Sequence, residues 1–304
     1  MAEQTNDAPK DDVPKDEASK VQAVKDEAPK DAETVAAKQD GRPAADSLLN
    51  VDDASVTYKL PGRRTLQAVR GVTFEVRPGE MLGLVGESGC GKSTLARAIC
   101  GLEPTSGGRI VFRGEEITEL KLKTRPKNLL KIQMVFQNPY ASLNPRRTIG
   151  AQIADGLRIS TKPDRWTVAS LLDAVEMDQS AAQKYSHAFS GGQRQRLAIA
   201  RAIASGPDLL IGDEPIASLD ASLQSKIARL MKELALESGA SLLFISHDLA
   251  VVRHVADRVA VMNAGQLVEA GPVAQVWRHP QRDYTKRLLA AIPRVDGKGI
   301  LPGA

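Results

Sequence analysis

Three short apolar runs set the framework of this chain. They are MLGLV, LLIG and SLLFIS, which begin at positions 81, 209 and 241, and a polar or Gly-rich segment follows each of them. Runs of this length are typical of buried strands. A helical pattern comes soon after the first run, and strand, loop and helix in this order predict an α/β fold. The apolar positions on or near one face of that helix are Leu95, Ile99, Cys100 and Leu102.

Other segments predict two further parts of the fold. RRTIGAQIADGLRI and RWTVASLLDAVEMD carry apolar residues at helical spacing, including Leu171, Leu172 and Val175. GRIVFRG and GQLVEAG alternate between apolar and polar residues, as short antiparallel strands do. We therefore expect an α/β fold with a mixed sheet, an antiparallel β subdomain near the N-terminus and a helical subdomain over about 138–205.

Residues 1–46 differ in composition from the rest. They are rich in Ala, Lys, Asp, Glu and Pro, show no apolar periodicity, and hold 12 acidic and 7 basic residues. Such a segment buries too little apolar surface to offset the entropy of ordering, so we predict a disordered charged tail. The other residues include 34 basic and 25 acidic side chains. That surplus suits nucleotides, nucleic acid, an anionic membrane face or simply a solvated cationic surface.

Some classes of protein are excluded at this stage. No segment approaches the roughly 18 consecutive apolar residues of a membrane helix, and the acidic N-terminus lacks the apolar core of a secretory signal. The chain is therefore expected to stay in the cytoplasm. Its two cysteines, Cys90 and Cys100, do not form a disulfide framework, and no Cys/His cluster has metal-ligand spacing. We predict no structural metal.

A Gly-rich segment between the first strand and its helix predicts a nucleotide site. Residues 86–93 match GxxxxGK[ST]. Glycines let backbone N–H groups turn towards phosphate oxygens, and the helix start adds its dipole. We expect Lys92 to contact the β and γ phosphates and the Ser93 hydroxyl to ligate Mg²⁺. The predicted nucleotide-binding residues of this loop are Gly86, Glu87, Ser88, Gly89, Cys90, Gly91, Lys92, Ser93 and Thr94.

Polar residues that suit ATP or GTP hydrolysis follow the other two apolar runs. Asp213 and Glu214 end one strand, and His247 follows the next. At the carboxyl ends of strands in an α/β sheet, these side chains would lie beside the phosphate loop. Asp213 is expected to hold Mg²⁺, and Glu214 to orient or deprotonate the attacking water. An imidazole at position 247 can reach a γ-phosphate.

A second helix start also carries residues suited to an anion. HAFSGGQRQRLAIARA presents Ser190, Gly191 and Gly192 at the beginning of a helical pattern. A hydroxyl, unhindered N–H groups and the helix dipole together favour negative charge. Because a phosphate loop already lies upstream, the residues alone leave open which anion this second helix start holds.

Taken in order, these segments resemble the ATP-binding-cassette ATPases over about 50–292. FSGGQ looks like the family's signature sequence, VFQNP contains the Q-loop glutamine, LLIGDEP is similar to the Walker B strand, ASLD to the D-loop, and ISHD to the switch-histidine segment. The resemblance implies that Gln137 contacts both the metal and the attacking water. It also implies nucleotide contacts from Tyr58, which would stack on adenine, and from Gln193 and Asp220. The implied cofactors are ATP and Mg²⁺.

The resemblance further implies a head-to-tail pair of ATPase domains. In such a pair, Ser190, Gly191 and Gly192 bind the γ-phosphate of ATP held on the neighbour's phosphate loop. The helical subdomain would touch a membrane subunit, with Gln137 as its hinge. One departure from the family pattern lies in the D-loop, where Ala217 and Ser218 replace the usual order of Ser and Ala.

Two segments resemble the branch of importers for oligopeptides, dipeptides and nickel. They are NPYASLNPR, which is most similar to the second of the two ATPase subunits in that branch, and the ending VEAGPVAQVWRHPQRDYTKRLLAAIP. The predicted ATPase domain covers 47–275, and a C-terminal importer-type extension covers 276–304. The implied partners are two transmembrane permease subunits, a second ATPase subunit and, indirectly, a periplasmic or extracellular solute-binding protein. A heterodimer is implied and a homodimer stays open. No nucleic acid is expected, and the place of action is the cytoplasmic face of the inner membrane.

Two other functions stay open from the sequence. One is a soluble ATPase of the same class that acts on nucleic acid or ribosomes, and the other is the ATPase of an exporter. The chain has one copy of each motif and no sustained heptads, which disfavours the first. The importer-like ending alone disfavours the second. The transported solute cannot be read from these residues, since the ATPase does not touch it.

Overall fold

The computed structural model describes residues 47–120, 126–138, 142–217 and 219–292. The predicted tail of residues 1–46, Ser218 of the D-loop and the last twelve residues of the predicted extension lie outside the described residues. The domain boundaries stay predictions.

The described strands form two sheets. In chain order, β1 to β10 are Leu49–Lys59, Thr65–Val76, Met81–Val85, Gly107–Phe112, Glu115–Glu116, Ile132–Val135, Leu209–Asp213, Ser241–Ser246, Arg258–Asn263 and Gln266–Pro272. A four-stranded antiparallel sheet has the order β2-β1-β4-β5, and a six-stranded sheet has the order β10-β9-β3-β8-β7-β6. In the larger sheet only β10 runs antiparallel to its neighbour, so the predicted mixed sheet and antiparallel β part are confirmed.

The helices described here alternate with these strands and also form a separate group between β6 and β7. In chain order, α1 to α8 are Lys92–Ile99, Ile149–Arg158, Val168–Ala174, Gly191–Ala204, Ala221–Ser238, Leu249–Val255, Val273–Arg278 and Asp283–Ala290. Short 3₁₀ turns lie at Pro61–Arg63, Asn128–Lys131, Gln179–Gln183 and Ser186–Ala188. The helical patterns before the signature are thus confirmed as α2 and α3, whose N-terminal amides are capped by Thr148 and Thr167.

The central strands are apolar throughout because both faces of the larger sheet are covered. Leu82 and Leu84 pack on the side of the antiparallel sheet and α1, whereas Met81 and Val85 pack on the side of the helical group. Alternate residues of a strand point to opposite faces, so one continuous apolar run supplies both cores.

One residue assigned to the face of the first helix lies outside that helix. Leu95, Ile99 and Cys100 are buried as expected, but Leu102 is 47% exposed. α1 ends at Ile99, and Gly101 follows with a φ of 70°, a left-handed conformation that stops the helix. Leu102 therefore lies beyond the helical face that its spacing predicted.

Candidate nucleotide site

Strand order brings the predicted catalytic residues to one edge of the larger sheet. Val85 at the end of β3 is level with Ser246 of β8, and Asp213 of β7 is level with Ile245. Because these strands are parallel, their carboxyl ends meet at the same edge. The phosphate loop, the two carboxylates and His247 all leave the sheet there.

The phosphate loop is shaped by contacts that only glycine allows. Gly86 and Gly91 have φ values of 154° and 105°. A Cβ atom at Gly86 would lie 2.1 Å from the carbonyl oxygen of Met262, and one at Gly91 would lie 2.2 Å from that of Ala68. The N–H of Gly265 also donates to the carbonyl of Cys90 at 3.0 Å. Neighbouring strands and the turn after β9 therefore hold the loop open at the start of α1.

Lys92 extends back across this loop. Its side chain is buried, and its Nζ donates to the carbonyl oxygens of Gly86 at 2.7 Å and Glu87 at 2.9 Å. The same ammonium lies 3.6 Å from Oε1 of Glu214. The structure thus confines one positive charge between the loop carbonyls and the end of β7.

Ser93 and Asp213 meet on the other side of the same helix start. The Ser93 hydroxyl donates to Oδ1 of Asp213 at 2.7 Å, although the two residues are 120 positions apart. Burial raises the pKa of Asp213, and the hydrogen bond from Ser93 opposes part of that rise. These two oxygens are hard donors of the type that Mg²⁺ prefers, and Mg²⁺ commonly takes only one or two protein ligands. The pair therefore fits a magnesium ion.

Glu214 is held in an unusual backbone conformation. Its φ is 49°, and its N–H donates to the carbonyl of Ile245 at 3.0 Å. The carboxylate is mostly buried and reaches Nδ1 of His247 with Oε2 at 2.7 Å, while Oε1 faces Lys92. A non-glycine residue with positive φ costs about 1 kcal/mol or more and persists where its surroundings enforce it. Glu214 is thus fixed between a lysine and a histidine.

Tyr58 and Gln137 lie at the margins of this cluster. Tyr58, on β1, is half-buried and places its hydroxyl 3.5 Å from Oγ1 of Thr94. Gln137 follows the end of β6, at the sheet edge that carries Asp213, and its side chain is exposed. The amide of Gln195 on α4 donates to the carbonyl of Phe136 at 3.4 Å, so the helical group contacts the residue next to Gln137. In the loop itself, Glu87, Ser88 and Gly89 are exposed.

The signature residues lie elsewhere. Ser190 caps α4 through a reciprocal pair, in which its Oγ accepts from the N–H of Gln193 at 3.4 Å and Oε1 of Gln193 accepts from the N–H of Ser190 at 3.0 Å. A Cβ at Gly192 would lie 2.4 Å from Cδ2 of Leu223 on α5, whereas one at Gly191 would meet no described residue within 4 Å. Packing against Leu223 thus explains why position 192 is a glycine, but it does not explain the glycine at position 191.

Asp220 lies at the start of α5, the helix whose Leu223 packs next to Gly192 of the signature. It caps α5 and accepts from the N–H of Leu223 at 2.9 Å and from the hydroxyl of Ser222 at 2.7 Å. None of the hydrogen bonds within the described residues joins the segment 190–193 to the segment 86–94. The structure therefore brings Lys92, Ser93, Asp213, Glu214 and His247 together. Within the described residues, no hydrogen bond joins the signature or Asp220 to this cluster.

One contact to the loop was not predicted. The backbone N–H of Glu87 donates to the hydroxyl of Tyr284 on α8 at 3.2 Å. The two residues are 197 positions apart. No local pattern in the sequence marks this pairing, because it depends on where the C-terminal helix lies against the sheet.

Similarity to known proteins agrees with this geometry. Residues 69–217 match the family model described as ABC transporter. The chain is 46% identical over 260 residues to the oligopeptide transport ATP-binding protein OppF of Bacillus subtilis, covering 83% of this chain and 84% of that protein. It is 44% identical over 234 residues to the dipeptide transport ATP-binding protein DppF of Haemophilus influenzae, covering 76% and 72%.

A solved structure shares the fold. The ATP-binding cassette MJ0796, in a dimeric post-hydrolysis state bound to ADP and Pi, superposes with a TM-score of 0.63 at 27% identity, covering 74% of this chain and 98% of that one. In the part of the chain that is described, no helix is both long and apolar enough to cross a membrane. The fold, the phosphate loop and these relatives together show that the chain belongs to the ABC transporter family, as one of its ATP-hydrolysing subunits.

Proposed function

We propose that this chain hydrolyses MgATP at the cluster around Lys92 and Glu214, and that hydrolysis powers the uptake of peptides or related small solutes through separate membrane subunits. The observation that carries the proposal is the shared contact of Glu214 with Lys92 and His247, next to the Ser93–Asp213 pair. This cluster places three kinds of group together: the Lys92 ammonium for phosphate oxygens, the Ser93–Asp213 pair for a metal ion, and the Glu214 carboxylate as a base.

Each residue of the cluster has a separate task. Lys92 binds the β and γ phosphates with one N–H of its ammonium group, while the carbonyls of Gly86 and Glu87 keep the other two. Ser93 and Asp213 would hold Mg²⁺, which when bound offsets negative charge on the transferring phosphate. Glu214 accepts a proton from the attacking water. His247 hydrogen-bonds that carboxylate through Nδ1, which leaves Nε2 as the ring nitrogen for the γ-phosphate.

The second helix start supports a paired arrangement of ATPase domains. Ser190 and Gly191 begin α4, and a Cβ at Gly191 would meet none of the described residues outside its own helix start within 4 Å. We assign both to the γ-phosphate of ATP on a facing domain, with Asp220 and the adjoining D-loop at the same junction. The domain that faces this one is a second ATPase subunit, so that each ATP lies between two chains.

The relatives support import of peptides, because OppF and DppF are named for oligopeptide and dipeptide transport. The partners are then two permease subunits at the cytoplasmic face of the inner membrane, with a solute-binding protein on the other side. A cavity of about 610 Å³ supports a permease contact on the helical group. Its lining includes Gln133 of β6, Asp155 of α2 and Arg201 of α4, so a segment bound there would touch the strand that leads to Gln137.

The proposal is tested by replacing Glu214→Gln in the full chain. The variant should still bind a fluorescent ATP analogue but hydrolyse ATP at least about a hundredfold more slowly, since an amide cannot accept the proton. Glu233→Gln, which changes an exposed glutamate of α5, serves as the matched control and should hydrolyse ATP at the wild-type rate. Near-normal turnover by Glu214→Gln would rule out Glu214 as the base.

The partners are tested with the same variant. Tagged protein is purified from native membranes in mild detergent with ATP and Mg²⁺, and the accompanying chains are identified by mass spectrometry. Two polytopic membrane proteins and a different ATPase subunit are expected. Recovery of only soluble chains together with RNA or DNA would overturn the transport role.

A further inference from the structure

The C-terminal helix α8 contacts the phosphate loop directly. Tyr284 lies in its first turn, is half-buried, and accepts a hydrogen bond from the N–H of Glu87 with its hydroxyl oxygen at 3.2 Å. Burial raises the pKa of Tyr284, which keeps its hydroxyl neutral over the working range of pH. The oxygen is thus a stable acceptor for a backbone N–H of the nucleotide site.

The position of α8 is fixed by a buried carboxylate. Glu269 on β10 is only 7% exposed, and its two oxygens accept the N–H groups of Gln281 at 2.8 Å and Arg282 at 3.1 Å. Both amides lie immediately before α8, whose residue Thr285 is fully buried. The start of the helix is therefore tied to the sheet, and Tyr284 cannot move freely away from the loop.

The amide that Tyr284 contacts belongs to the same peptide group as a carbonyl that Lys92 contacts. The N–H of Glu87 and the C=O of Gly86 are the two ends of one planar peptide, and that carbonyl oxygen accepts from Nζ of Lys92 at 2.7 Å. Because the peptide is rigid and its C=O and N–H point in opposite directions, holding one end orients the other. Tyr284 and Lys92 are thus linked through a single peptide plane.

We propose that Tyr284 is a positioning residue for nucleotide binding, whose hydroxyl fixes the Gly86–Glu87 peptide and so places Lys92 for the β and γ phosphates. The C-terminal helix then sets the affinity of the site without touching ATP. This inference rests on the proposed ATPase function, and it assigns to α8 a task within the nucleotide site.

The first test is Tyr284→Phe in the full chain, which removes only the hydroxyl. The Kd for a fluorescent ATP analogue and the KM for ATP should both rise about threefold to tenfold, the effect of one neutral hydrogen bond. The kcat should stay unchanged because Glu214 is untouched. Lys286→Gln on the same helix removes an exposed ion pair with Asp283 and should leave Kd and KM at wild-type values.

A second variant separates positioning from general support of the fold. Glu269→Gln loosens the attachment of α8 and should also raise Kd, but it should add nothing further in a Tyr284→Phe background, since both changes act through the same hydroxyl. Thermal unfolding of each variant shows whether stability has changed independently of affinity.

The outcomes distinguish the inference from the proposed function. A wild-type chain that neither binds nor hydrolyses ATP would overturn the function and the inference together. If the wild-type chain binds ATP, three results would overturn the inference alone. They are an unchanged Kd in Tyr284→Phe, a lowered kcat at unchanged KM in that variant, and additive effects of Tyr284→Phe and Glu269→Gln on Kd.

Discussion

Asp213 and Glu214 are consecutive, yet their side chains have different neighbours. Asp213 ends β7 in regular strand geometry and bonds to Ser93, whereas the positive φ of Glu214 turns its carboxylate towards Lys92 and His247. Two negative charges side by side in a mostly buried place are unfavourable, and burial raises the pKa of Asp213. The placement of Asp213 and Glu214 at the end of β7 therefore suits catalysis but lowers the free energy of unfolding.

That cost is measurable with Asp213→Asn. The amide oxygen can still accept from Ser93, but the side chain at position 213 no longer carries a buried charge, so the free energy of unfolding near pH 7 should increase. The pKa of Asp213 is higher in the folded than in the unfolded chain, so protonation favours folding and the cost of the charge is lost as the pH falls to the ordinary value of 3.8. Urea unfolding at about pH 7 and about pH 4 should show the gain only at the higher pH. A variant less stable than wild type near pH 7 would contradict this account.

Neighbouring elements explain why two adjacent glycines start α4. Gly192 lies against Leu223 of α5, so the start of α4 and the first turn of α5 pack closely. A Cβ at the adjacent Gly191 would meet nothing within 4 Å in the part of the chain that the structure describes. At the start of α4, Gly192 thus allows the two helices to pack closely, whereas Gly191 faces outwards.

This difference predicts opposite results for two matched substitutions. Gly192→Ala should lower the free energy of unfolding by about 1 kcal/mol, because Leu223 must move. Gly191→Ala should leave stability unchanged or slightly increased, since alanine favours helix more than glycine does. It should nevertheless reduce ATP hydrolysis, since the added methyl group lies where the facing ATP would bind. Urea unfolding and steady-state ATPase assays measure the two effects, and wild-type hydrolysis by Gly191→Ala would remove Gly191 from the site.

The elements themselves were largely predictable from the sequence, whereas their long-range contacts were not. Apolar runs and alternation located β3, β4, β7, β8 and β10, since strand burial determines those patterns. Spacing failed at Leu102, where a left-handed glycine ends the helix before the pattern ends. The meeting of Ser93 with Asp213 was predicted because motifs imply strand order. The meeting of Tyr284 with Glu87 was not, because no motif encodes the position of α8.

On the proposed function, one copy of the chain does not supply a complete ATP site. The cluster around Lys92 and the helix start at Ser190 share no hydrogen bond within the described residues. Each has groups suited to a phosphate, and the solved cassette of similar fold was captured as a dimer with ADP and Pi. A second ATPase domain would bring the two halves together, so association should depend on nucleotide.

That dependence is testable with Glu214→Gln, in which bound ATP persists. Light scattering after size exclusion of this variant mixed with the second ATPase subunit should show the mass of the pair with ATP and Mg²⁺ but not with ADP. Adding Lys92→Ala should abolish the effect, since nucleotide no longer binds well. Separate subunit masses in the presence of ATP and Mg²⁺ would contradict the nucleotide-dependent pairing.

The phosphate loop owes its shape to residues outside its motif. The carbonyls of Ala68 and Met262 occupy the space where side chains at Gly91 and Gly86 would lie, and Gly265 bonds to the carbonyl of Cys90. A descendant of this chain could therefore lose nucleotide binding by an insertion in the turn at Ala264 and Gly265, with every letter of GxxxxGK[ST] intact. An inventory of motifs would still count such a protein as an ATPase, whereas the length of that turn would identify it as inactive.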